Sequence, residues 1–171
     1  MLAMRILVTA AAMLVLVSGC GFQLRGSAPL PYETLHVASD RASPFANELK
    51  RAISRGSKTR VVATAQEAQA TLMVVDDVRE KVILSLSGGG RVREYQLRYR
   101  VSYRLIDAGK RELRPRTQIQ LSRDLSYNDN DTLSKESEEL LLYRDMQTDA
   151  VSQLLRQLQT PPTTTQRGAS L

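Results

Sequence analysis

One residue in this chain stands in a context that selects a particular covalent chemistry: Cys20, the only cysteine among 171 residues. It closes the run Val17-Ser18-Gly19-Cys20. Small residues directly before a thiol resemble a lipobox, in which a diacylglycerol is joined to the sulfur and cleavage frees the cysteine amine for N-acylation. A lone cysteine cannot form an intrachain disulfide, and an unused thiol in an exported protein would be an oddity. Other residue types give less. His36 is the only histidine; it lies in a short strand candidate, with no soft ligands spaced around it for a metal. Nothing resembles the nucleophile elbow a serine hydrolase needs. Gly88-Gly89-Gly90 lacks a following Lys-Ser/Thr and precedes a strand, so it reads as a hairpin turn and not a phosphate loop. No two carboxylates stand out as an acid–base couple. The residues predict no enzyme, no metal and no cofactor beyond the acyl groups on Cys20.

What precedes Cys20 fits export. Arg5 gives a short n-region one positive charge, and apolar or small residues run from Ile6 to Val17. This run is too short to cross a hydrocarbon core of about 30 Å, which takes roughly 20 apolar residues as a helix, but it suits the h-region of a signal peptide. Residues 1–19 are therefore expected to be a lipoprotein signal peptide. Gly21, where an aspartate would signal inner-membrane retention, resembles an outer-membrane address. The anchor would be an energetic one: each buried methylene contributes about 0.8 kcal/mol, so several acyl chains hold the protein on the membrane. The net charge of +6 would allow nucleic acid, anionic lipid or an acidic partner; export makes nucleic acid the wrong choice.

The mature chain reads as one α+β domain with enough length for a hydrophobic core. Residues 20–33, with Gly21, Gly26, Pro29 and Pro31, read as a lipidated tether. A single domain is expected over 34–160 and a disordered tail over 161–171. Thr34 to Ala38 is a strand candidate. Ser43-Pro44 opens a helix as N-cap and first helical residue, Phe45, Leu49 and Ile53 mark its apolar face, and Gly56 closes it. Thr59 to Ala63 is a second strand, which completes a parallel βαβ unit. Three longer strands follow. The first, 71–86, carries a charged interruption from Asp76 to Lys81 that predicts a bulge, a twist or an edge. The next, 92–106, alternates Tyr95, Leu97, Tyr99, Val101, Tyr103 and Leu105 on one face with Gln96, Arg98, Arg100, Ser102 and Arg104 on the other. After the loop Asp107 to Lys110, the third runs over 113–125, its start placed at an edge or irregular position by Pro115. A long helix from about 133 to 159 carries an apolar stripe of Leu140, Tyr143, Val151, Leu154 and Leu158, widened by Leu141, Leu142, Met146 and Leu155. The expected architecture is a small mixed β-sheet, the βαβ unit plus a long antiparallel meander, covered on one face by two helices. The opposite face would carry Arg98, Arg100, Arg104, Arg114 and Arg116: either a solvated surface, or one that docks something anionic.

These residues resemble a known family. Cys20-Gly21-Phe22-Gln23-Leu24-Arg25-Gly26 resembles the start of mature lipopolysaccharide-assembly lipoproteins of the LptE family, and Glu94-Tyr95 after the turn resembles a second landmark. The order of elements, with a lysine opening the last helix, is similar across nearly all of 20–160. The resemblance implies an outer-membrane lipoprotein on the periplasmic side, seated as a plug in the LptD β-barrel, helping that barrel assemble and delivering lipopolysaccharide to the outer leaflet. It also implies lipopolysaccharide contacts at Lys135 on the helix and, near the turn, at Arg91 or Arg93; counted across the glycines, the family's basic position can instead fall on Gly88. The alternative from another class is a pilotin-like or scaffold lipoprotein for a different barrel or secretin. A lipid-anchored hydrolase would require the catalytic constellation that the residues lack.

Overall fold

A computed structural model of the chain describes residues 29–128 and 131–160. Cys20, the leader and the segment 161–171 lie outside the described residues. Strand β1 (Thr34–Ser39) alternates buried Leu35 and Val37 with less buried neighbours. Helix α1 (Pro44–Gly56) follows, capped by Ser43 in extended backbone, whose hydroxyl accepts from the Ala46 N–H at 3.0 Å. Pro44 occupies the first turn, where its missing N–H costs nothing, and Phe45, Ala46, Leu49 and Ile53 form the buried face. The helix closes at the glycine to which the sequence points. Gly56 is its last residue, and Ser57, in extended backbone, donates its N–H (3.0 Å) and its hydroxyl (2.8 Å) to the Ile53 carbonyl. Strand β2 (Arg60–Val62), a single 3₁₀ turn (Ala65–Glu67), β3 (Ala70–Leu86), β4 (Val92–Asp107), β5 (Glu112–Ser126) and helix α2 (Thr132–Gln159) complete the order.

The five strands form one mixed sheet in the order β2-β1-β3-β4-β5. β1 is parallel both to β2 and to β3, and β3, β4 and β5 form the antiparallel meander. Only β1's side of the sheet is short. β1 pairs with β3 from Ala70 to Val74, and beyond that point residues 75–86 of β3 pair, among the described residues, with β4 alone. A bulge between Val74 and Asp76 marks the change, at the start of the charged interruption. β5 is the other edge, and its pairing is irregular around Pro115, both of which Pro115 allows.

The core lies between the sheet and both helices. β4 contributes Leu97, Tyr99, Val101, Tyr103 and Leu105, each no more than 1% exposed; large side chains buried this way stabilise by roughly 1.5–3 kcal/mol apiece. The tyrosine alternation is therefore core under the helices. α2 buries Tyr143, Met146, Ala150, Val151, Leu154 and Leu158. Leu140 and Leu141, which helical periodicity assigns to the same stripe, are instead 67% and 55% exposed. The Tyr143 hydroxyl donates to the Glu80 carbonyl and Glu139 meets Lys81, so this part of α2 crosses β3 where β1 has already ended and leaves one side of the helix uncovered.

Arg114 lies elsewhere than the strand alternation predicts. It stands opposite Leu105, on the helix-covered face, and not in the arginine row of the open face. The register shifts between Tyr103 and Leu105 on β4, around Pro115 on β5, and a one-residue shift moves a side chain to the other face. Arg114 Nη2 donates to the Gln157 carbonyl at 2.8 Å and the Thr160 carbonyl at 3.3 Å, which places a cation on the carbonyl end of α2. In the β4–β5 turn the left-handed residue is Lys110, at φ 63°, and not the neighbouring Gly109.

Candidate functional site

The basic residues singled out in the sequence come together at one end of the meander. The β3–β4 turn is closed by Ser87, whose N–H donates to the Arg91 carbonyl (2.7 Å) and whose carbonyl accepts from Gly90 (2.9 Å). Gly90 adopts φ 78°, a conformation that suits glycine. Two residues on from Arg91, the Arg93 carbonyl accepts from the Tyr127 N–H at 2.7 Å, tying the turn region to the end of β5. Ser126, next in line, is bonded by Lys135 Nζ at 3.2 Å, and Lys135 also meets Glu138 at 2.8 Å. Arg91, Arg93 and Lys135 therefore share one end of the sheet, on the turn, on β4 and on the opening of α2 respectively.

The same end holds a cation that sequence reading missed. Lys81 stands opposite Leu97 and so on the helix-covered face, its ammonium 4.2 Å from the Tyr95 ring centroid and 2.6 Å from Glu139. Tyr95 in turn meets Tyr127 edge to face, centroids 5.3 Å apart. Lys81 closes the charged run that begins at Asp76 and shares inward parity with Asp77 and Arg79. The aromatic pair gives this end a fixed floor, and the lysines above it offer charge-assisted donors to phosphate or carboxylate.

Toward the middle of the sheet lies a polar network of a different kind. Asp77 accepts from the Tyr99 hydroxyl and the Ser43 hydroxyl, each at 2.7 Å, and from the Phe45 N–H at 3.4 Å. A carboxylate on the first turn of α1 suits the helix dipole. Arg79 lies against the rings of Tyr143 and Tyr99 (5.4 and 5.8 Å) and donates to Gln147 at 2.9 Å; Gln147 donates on to Glu48 of α1. Burial, reinforced by the bond to Asp77, pushes the Tyr99 phenol well above its ordinary range. These groups satisfy one another and fasten both helices to β3. The adjoining cleft of about 600 Å³ is lined by charges of both signs, Asp40, Arg41, Asp76, Asp77 and Arg79, and selects no ligand class.

The open face is polar and largely paired across strands. Arg100 meets Glu80 at 3.1 Å, Arg116 meets Asp76, and Arg98 donates to Gln96 at 2.8 Å. Such exposed pairs contribute about 0–1 kcal/mol each; they set the character of the surface more than its stability. His36 donates from Nδ1 to the Val62 carbonyl at 3.1 Å, an ordinary strand contact. Among the described residues no cluster of His, Cys, Asp or Glu could hold a metal, and no helix is long and apolar enough to cross a membrane.

This architecture recurs in solved lipoproteins. The solution structure of an uncharacterized lipoprotein B from Nitrosomonas europaea superposes with a TM-score of 0.73 at 43% identity, covering 81% of this chain and 90% of that one. The rare lipoprotein B of Shewanella oneidensis gives 0.60 at 25% identity over 73% and 92%. The fold is thus that of solved lipoproteins. The model of the LptE lipopolysaccharide-assembly family matches residues 32–158, and an LPS-assembly lipoprotein LptE from Yersinia pestis is 30% identical over 160 residues, 91% of this chain and 76% of that protein. The chain belongs to the LptE family of outer-membrane lipoproteins. It is a non-catalytic lipoprotein, lipid-anchored in the outer membrane and facing the periplasm.

Proposed function

We propose that this protein plugs and helps assemble the LptD β-barrel, and that it binds lipopolysaccharide on its way to the outer leaflet. Cys20 carries the anchor, and Lys135, with Arg91 and Arg93, holds the lipid phosphates. The observation that carries the reading is the convergence of these three residues on one end of the meander, from three separate elements. Two further features support it. The open face of paired Arg98, Arg100 and Arg116 suits the polar lumen of an outer-membrane barrel. Glu138, the partner of Lys135, is 45% exposed, so a phosphate can displace it at little cost.

Reversing Lys135 and Arg91 together to aspartate is expected to weaken binding to purified lipopolysaccharide about ten- to a hundredfold, since two charge-assisted contacts become repulsive. Lys110→Asp, at the opposite turn, should leave it unchanged. Equal affinities for the double variant, folded by circular dichroism, and the unaltered protein would remove the phosphate contacts from the reading. Pull-down from solubilised outer membranes tests the partner: LptD should co-purify, and a secretin in its place would favour the pilotin-like role. Cys20→Ala should abolish incorporation of labelled palmitate, and undiminished labelling would place the anchor elsewhere.

A further inference from the structure

Six large apolar side chains are exposed toward the same end as the basic residues. Ile83, Leu84 and Leu86 of β3 and Leu133, Leu140 and Leu141 of α2 are between 46% and 81% exposed. Their positions follow from contacts already described. Ile83 stands opposite Tyr95 and Leu86 opposite Val92, at the β3–β4 turn. Glu139, beside Leu140, bonds Lys81, two residues from Ile83. Lys135, two residues from Leu133, bonds Ser126. On α2, Leu133 and Leu140 are seven residues apart and continue the side that further along carries buried Gln147, Val151 and Leu158, as helical periodicity requires. The buried stripe thus runs on past the point where β1 ends and nothing among the described residues covers it. Isolated exposed leucines need no explanation, but an uncovered apolar stretch rimmed by charge marks a binding surface.

The rim identifies the occupant. Lys81, Arg91, Arg93 and Lys135 give this end several cations around the apolar residues. A soluble polyanion would use the cations and leave the leucines in water. An apolar peptide would use the leucines and make no use of the cations, of which Lys81 and Lys135 hold exchangeable surface pairs with Glu139 and Glu138. An anionic amphiphile uses both. We propose that Ile83, Leu84 and Leu86 of β3, with Leu133 and Leu140 of α2, seat the acyl chains of an anionic glycolipid whose phosphates are held by the neighbouring cations. The inference rests on the lipopolysaccharide reading above and adds that the protein recognises the lipid as an amphiphile and not only as an anion.

The test uses full-length protein in phosphatidylcholine nanodiscs, with purified lipopolysaccharide and its O,N-deacylated form, which retains the phosphates, as probes. The unaltered protein is expected to bind the acylated form about tenfold or more tighter than the deacylated form. The triple variant Ile83→Thr, Leu86→Thr, Leu140→Gln changes only exposed side chains. It should lose that advantage while keeping its affinity for the deacylated form. Unchanged affinity of the triple variant for the acylated form overturns the proposal. So does equal affinity of the unaltered protein for both forms; if Lys135→Asp still weakens both, the phosphate contacts survive and only the acyl seat falls. Binding of neither form removes both readings. A triple variant that binds lipid normally but no longer retains LptD assigns the patch to the barrel and overturns the acyl seat.

Discussion

Replacing Asp77 with alanine is expected to destabilise the domain by about 2–4 kcal/mol, the sum of a lost helix cap and a buried hydroxyl left without its acceptor. One carboxylate serves three donors on two elements: the Tyr99 hydroxyl of β4, and the Ser43 hydroxyl and Phe45 N–H at the start of α1. Tyr99 is fully buried, so its O–H cannot turn to water when the acceptor is removed. Ser43 loses the bond that orients it while it accepts from Ala46, which weakens the cap as well. For a domain of this size the loss should lower Tm by roughly 8–15 °C. Asp77→Asn separates the two parts. Its amide oxygen can still accept from Tyr99, but its NH₂ would face the Phe45 N–H and a serine already committed as acceptor, so about half the loss should remain. A melting temperature of Asp77→Ala within about 2 °C of the unaltered protein would show that the network contributes nothing net.

Asp77 also shows where the sequence stops being readable. The run from Asp76 to Lys81 announces an irregularity, and the bulge is there. That one of its carboxylates caps a helix which begins over thirty residues earlier in the chain depends on β3 lying beside β1, a long-range pairing with no local signature. β4 is the opposite case. Its period-two alternation of Tyr, Leu and Val against Arg and Gln assigns both faces correctly, because a strand's side-chain period is fixed by backbone geometry. Ser43-Pro44 is equally local and equally legible. Arg114 was misplaced because a bulge changes parity without changing composition. Leu140 and Leu141 were misplaced for another reason: periodicity says which side of a helix is apolar but not how far its cover extends. For the candidate site, Lys135 and the arginines beside the turn stood out in the sequence, whereas Lys81 emerged only once β3 and β4 were in register. The anchor at Cys20 lies outside the described residues and rests on its motif.

Stability is expected to stay level up to about pH 10 and then fall steeply, because buried phenols must remain neutral in the native state. Tyr99 and Tyr103 are both fully buried. Burial raises Tyr99 first and foremost, helped by the carboxylate of Asp77, and burial also raises Tyr103, with Arg114 opposing. The sign follows from proton counting. In the unfolded chain both phenols titrate near pH 10; in the native protein they hold their protons to higher pH. Above that point the unfolded state binds fewer protons than the native state, so unfolding becomes more favourable as pH rises. The stabilisation is fully present below the unfolded value and is lost as pH climbs toward the native one. Each such tyrosine contributes at most about 1.4 kcal/mol per pH unit between its unfolded and native values. Surface ion pairs contribute only about 0–1 kcal/mol each and cannot supply that slope. Urea unfolding from neutral pH into this alkaline range, followed by circular dichroism and tyrosinate absorbance, measures it. Tyr103→Phe should make the slope shallower, because it removes one of the phenols that burial raises and leaves its acceptor Gln157 on a half-exposed part of α2 where water can replace the bond. Stability that stays flat well above pH 10, or tyrosinate that forms while the fold persists, would mean that these phenols open to solvent without unfolding, and the tight packing of β4 beneath α2 would have to be abandoned.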